Sequence, residues 1–61
     1  MNELQIRGWI YYETEKDTAL EAYTELCNIL KKAGIDTGYI GLDIVLRNEY
    51  GKEIDTIEDK Y

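Results

Sequence analysis

Sixty-one residues carry thirteen acidic and seven basic side chains, a net charge of −6. That balance repels phosphate backbones and anionic lipid surfaces, which disfavours direct nucleic-acid and membrane partners and leaves basic protein surfaces as the natural match. A single cysteine and no histidine exclude an internal disulfide and the usual zinc ligand sets, and no apolar run approaches the roughly 18 residues of a membrane span.

In chain order, the first signal runs from Leu4 to Tyr12. Leu4, Ile6, Gly8, Ile10 and Tyr12 share one parity, and Gln5, Arg7, Trp9, Tyr11 and Glu13 the other. Period two with isoleucine, tryptophan and tyrosine predicts one strand, with Gly8 marking a bulge or a close approach. A helix follows over roughly Asp17 to Ala33. Thr18-Ala19-Leu20-Glu21 fits a capping box, in which threonine and glutamate occupy free N–H groups at the helix start, and Thr14-Glu15-Lys16-Asp17 is the alternative that begins the helix one turn earlier. Leu20, Tyr23, Cys27 and Leu30 recur at helical spacing as the apolar stripe, flanked by Ala19, Leu26 and Ala33. Lys31 and Lys32 suit the negative end of the helix dipole, and Gly34 supplies the left-handed residue that ends the helix.

Alternation returns from Tyr39 to Arg47, with Ile40, Leu42, Ile44 and Leu46 on one face and Tyr39, Gly41, Asp43, Val45 and Arg47 on the other. Asn48-Glu49-Tyr50-Gly51 is turn chemistry. Lys52 to Glu58 is expected to close a hairpin as a third strand, although Ile54 and Ile57 share a face only if a bulge intervenes. The expected fold is therefore a single α+β domain over 1–61. It has two layers in the order β-α-β-β, one helix on a three-stranded sheet with a right-handed parallel crossover; the third strand lies between the other two, as in half a ferredoxin-like fold, or outside them.

One helix covers one face of such a sheet. The opposite face is left with Arg7, Trp9, Tyr11, Tyr39, Val45 and Arg47, a set rich in the residue types of binding hot spots. This predicts a non-enzymatic protein-interaction surface. Its occupant is a second copy, giving a homodimer, or a different protein. So short a chain buries only about 60% of its unfolded surface, which favours a partner subunit. The acids Glu13, Glu15, Asp17, Glu21, Glu25, Glu53, Asp55, Glu58 and Asp59 are expected to form an acidic rim. Such a rim can occupy a basic groove built for nucleic acid. In size and charge alone the chain resembles small acidic inhibitors carried by phages, anti-CRISPR proteins among them. The resemblance implies docking on a basic, nucleic-acid-binding host protein. The alternative is a structural homodimer with no foreign partner.

Nothing in the residues calls for catalysis or a cofactor. Cys27 lies on the apolar helix stripe, a packing position rather than the cationic, accessible setting that activates a thiol. The C-terminal acids lack the spacing and glycine of a calcium loop, and no glycine motif cradles a phosphate. Met1 to Gln5 has no signal-peptide character, so the expected location is the cytoplasm.

Overall fold

The computed structural model describes residues 1–37 and 43–57. Five elements follow in order: β1 (Asn2–Ile6), β2 (Ile10–Thr14), α1 (Ala19–Lys32), β3 (Ile44–Arg47) and β4 (Glu53–Ile57). The four strands form one sheet in the order β2-β1-β3-β4, and every neighbouring pair is antiparallel. The α+β class and the single helix packed on a sheet match the expectation. The sheet has four strands rather than three, because the segment expected to be one long strand is a hairpin.

The reversal sits at Arg7-Gly8-Trp9. Arg7 and Gly8 have φ of 56° and 79°, the positive values that a type I′ turn needs at both central positions. The Trp9 N–H donates to the Ile6 carbonyl at 3.3 Å, and the Arg7 N–H donates to the Asp43 carbonyl at 3.1 Å. Three residues separate the paired ends Ile6 and Ile10. An odd-numbered loop preserves parity, so Leu4, Ile6, Ile10 and Tyr12 face one side whether the chain turns or runs straight. Alternation therefore placed the faces correctly while missing the fold-back. The extra strand reverses the chain once more, so β3 returns antiparallel to β1, and the parallel pair joined through α1 is β2 and β3, with β1 between them. β4 takes the outer edge beside β3.

Thr18 is the N-cap of α1, its hydroxyl accepting from the Glu21 N–H at 3.3 Å. A second acceptor reaches the same end from β4: Asp55 Oδ2 takes the Ala19 N–H at 2.6 Å. At the other end Gly34, at φ 78°, allows two further bonds. Its N–H donates to the Lys31 carbonyl and the Ile35 N–H to that of Leu30, at 3.0 and 2.9 Å. This paired closure is the Schellman arrangement expected of a glycine after the last turn.

The buried face of the helix is turned from the expected stripe. Ala19, Ala22 and Leu26 are buried, with Tyr23 and Leu30 packed at the margin, while Leu20 is 66% exposed and Cys27 half-buried. The reason lies across the interface. Leu4, Ile6, Ile44 and Leu46 are at most 1% exposed and fill the space under the helix, so the position of closest approach suits alanine rather than leucine.

The β3–β4 turn forms at the expected residues. The Asn48 side chain accepts from the Tyr50 and Lys52 N–H groups, and the Gly51 N–H closes onto the Asn48 carbonyl at 2.9 Å. The third strand of the sequence reading is β4. Its register shifts between Leu46 and Arg47, which pair with Asp55 and Glu53 and leave Ile54 as the extra residue. The bulge does not bring the two isoleucines onto one face: Ile54 turns outward at 42% exposure and Ile57 packs against the core. Tyr39, Ile40, Gly41 and Leu42, expected in the strand that ends at Arg47, lie outside the described residues, as do Glu58 and Asp59.

Candidate functional site

Strand alternation gives the face away from the helix two clear rows. Registers place Tyr11 beside Gln5, Gln5 beside Val45, and Val45 beside Thr56. One pleat further from the hairpin turn, Glu13 lies beside Glu3, Glu3 beside Arg47, and Arg47 beside Glu53. No described element covers either row.

The hairpin turn curls toward the first row. The Gly8 carbonyl accepts from the Gln5 side-chain amide at 3.1 Å and from the Tyr11 hydroxyl at 3.3 Å. Both donors belong to the helix-free face, so the turn backbone is tied to that side. Trp9, next along the chain, is 70% exposed, and Tyr11 is 58% exposed. Arg47 lies across the middle of the face: its Nε donates to Gln5 Oε1 at 3.1 Å and its Nη1 to the Gly51 carbonyl at 3.3 Å. Among the described residues, no ion pair or hydrogen bond engages the side-chain carboxylates of Glu3, Glu13 or Glu53. The face thus has an aromatic end and an acidic end, with Arg47 fixed between them.

Of the residues expected on the interaction face, Tyr11, Val45 and Arg47 occupy it. Arg7 and Trp9 belong to the turn at its aromatic end rather than to a strand, and Tyr39 lies outside the described residues. The expected rim residues are dispersed. Glu13 and Glu53 stand on opposite edge strands, Glu15 and Asp17 in the loop before α1, and Glu21 in its first turn. Two of the nine serve the fold. Asp55 closes the helix N-terminus, and Glu25 fastens the helix to β2. Glu3 was not foreseen as a member of the face, although it shares the parity of Gln5 and could have been found from that.

Glu25 makes a polar contact at the margin between helix and sheet. Its Oε1 accepts from the Tyr12 hydroxyl at 2.6 Å and from the Thr14 hydroxyl at 3.0 Å, and Thr14 is only 3% exposed. The Tyr12 bond above all, then that of Thr14, hold the Glu25 carboxyl below the usual carboxylate range, against a smaller opposing effect of burial and with help from Lys16. The same bond, followed by burial, pushes the Tyr12 hydroxyl above its ordinary value. The Thr14 oxygen also accepts the Lys16 N–H at 3.1 Å. A carboxylate with both donors supplied from one neighbouring strand fastens the helix to the sheet.

Among the described residues, no three histidine, cysteine, aspartate or glutamate side chains converge in a way that could hold a metal ion. No helix among them is long and apolar enough to cross a membrane. Comparison with protein-family models, with curated proteins and with solved structures finds no match to this chain.

Proposed function

We propose that this chain is a non-enzymatic protein-interaction module whose working surface is the helix-free face of its sheet. The observation that carries the reading is the pair Trp9 and Tyr11, 70% and 58% exposed at one end of a sheet face that no described element covers. Large aromatic side chains supply the most binding energy when a partner excludes water from them, and they contribute little to a fold that leaves them in solvent. An antiparallel sheet with one solvated face normally carries polar residues there.

A foreign partner fits the face better than a second copy. Two chains of charge −6 meeting through it would bring Glu3, Glu13 and Glu53 of each toward the acids of the other. An inhibitor that docks on a basic, nucleic-acid-binding protein is one form of this reading, supported by small size and acidity. A structural homodimer is the second reading, supported by the same two aromatics.

The test pairs stability with association. Trp9→Ala and Tyr11→Ala are expected to change the unfolding free energy by less than about 0.5 kcal/mol, as exposed sites do. They are expected to abolish retention of partner protein on the immobilised chain. Light scattering over a range of concentrations separates the two occupants: a concentration-independent monomer supports a foreign partner, and a dimer lost on substitution supports self-association. Destabilisation above about 2 kcal/mol with association unchanged would mean the aromatics belong to the core, and the reading would fall.

A further inference from the structure

The helix-free face is small. Four strands about 4.8 Å apart and about five residues long, at about 3.4 Å per residue, give a plan area of roughly 300 Å². A standard protein–protein interface buries about 800 Å² on each side. The strands alone offer less than half of that, so a globular partner needs contacts beyond them, whereas their length of about 17 Å matches an extended segment of about five residues.

Its chemistry runs in one direction. Trp9 and Tyr11 mark one end, and the unpaired carboxylates of Glu3, Glu13 and Glu53 mark the other, with the Arg47 guanidinium turned to Gln5 and Gly51 between them. Glu3 and Glu13 stand directly opposite each other on paired strands. Like charges in that position destabilise a sheet. Arg47 stands beside Glu3 on its other side, but its guanidinium donates to Gln5 and Gly51 rather than to a carboxylate. The row spacing, two residues or about 7 Å along a strand, is also the spacing of same-side residues in an extended peptide.

Resting on the reading of this face as a protein-docking surface, we infer that its occupant is a short extended segment of another protein. That segment carries lysine or arginine residues for the acidic row and an apolar side chain, two residues away on the same side, for the Trp9–Tyr11 end. The carboxylates then acquire partners that no described residue supplies, and the aromatic pair loses its contact with water.

Trp9 is the only tryptophan in the chain and reports directly on this face. The probe is a tryptophan-free heptapeptide with leucine near one end and lysines at the following alternate positions, titrated into the whole protein. A second peptide has glutamates in place of the lysines. The lysine peptide is expected to shift Trp9 emission saturably and the glutamate peptide to leave it unmoved. Glu3→Gln/Glu13→Gln/Glu53→Gln should weaken binding about tenfold, from the loss of several exposed charge contacts. Glu15→Gln/Asp17→Asn/Glu21→Gln removes the same charge outside the face and should weaken binding less than threefold. Equal losses in the two triple variants would reduce the effect to diffuse attraction by net charge and overturn the inference. Equal binding of the glutamate peptide, or no response to either peptide, would also overturn it. Those results leave the docking face itself to stand or fall on the association of Trp9→Ala and Tyr11→Ala.

Discussion

Alternate residues of the same strands meet opposite fates in this molecule. On β1, Leu4 and Ile6 are fully buried while Glu3 and Gln5, which alternate with them, are not; on β3, Ile44 and Leu46 are sealed under the helix while Val45 and Arg47 stay partly open. The covered face is apolar throughout and meets small helix residues, Ala19 and Ala22, that let the two layers approach. The free face mixes aromatics, amides and unpaired acids, and its internal bonds are few: Gln5 and Tyr11 to Gly8, Arg47 to Gln5 and Gly51. Burial thus stabilises one side of a very small sheet and leaves the other free to answer to something else.

The sharpest way to break that contrast uses neighbours in one strand. Leu46→Ala is expected to cost about 2–5 kcal/mol in urea unfolding, the range for a buried leucine truncated to alanine. That is enough to unfold a domain of this size. Val45→Ala, one residue away on the other face, should cost less than about 1 kcal/mol. Similar losses at the two positions would mean that both faces are core.

A smaller effect is expected where the two edges of the fold are tied together. Asp55→Ala leaves the Ala19 N–H without its acceptor at the helix start, and a loss of about 1–3 kcal/mol should follow. Asp55→Asn, which keeps an acceptor oxygen, should lose less. Helix content followed by circular dichroism through thermal unfolding checks both, and a neutral Asp55→Ala would show that Thr18 alone closes the helix.

The smallest expected effect is a change of slope with pH. The Glu25 carboxyl is lowered in the fold, so as pH falls the unfolded chain takes up its proton first, near the ordinary value of about 4.3. The stabilisation is complete above that value and is lost as pH falls through the lower folded one. Tyr12 is raised, so the unfolded chain ionises first as pH climbs past about 10, and stability declines there too. Glu25→Gln should flatten the acid limb of the stability profile. An acid slope unchanged from wild type would assign acid sensitivity to other carboxylates.

How far the residues announced this structure depends on the element. The helix end and the Asn48–Gly51 turn follow from local chemistry, a glycine after the last turn and an asparagine that bonds its own turn, while the helix start lay between two candidate threonines. The hairpin did not follow, because a three-residue loop keeps parity, and because Arg7 holds a positive φ that an arginine rarely adopts. Gly8 was its one signal. The helix stripe was misplaced toward Leu20 because hydrophobicity ranks leucine above alanine, whereas contact distance at the centre of a two-layer core reverses that order. Tyr11, Val45 and Arg47 were legible as a face from alternation alone. The separation of its acids from Glu25 and Asp55 was not, since both of those are claimed by partners distant in sequence, Tyr12 and Thr14 for one and Ala19 for the other.

The most direct test is a map of backbone amide shifts in the protein as the lysine heptapeptide is added. Perturbations should gather at Glu3, Gln5, Trp9, Tyr11, Glu13 and Val45, and leave the outer side of α1 around Leu20 and Thr24 unmoved. Perturbations centred on α1, or spread evenly over the surface, would contradict the division of this sheet into one face for folding and one for binding.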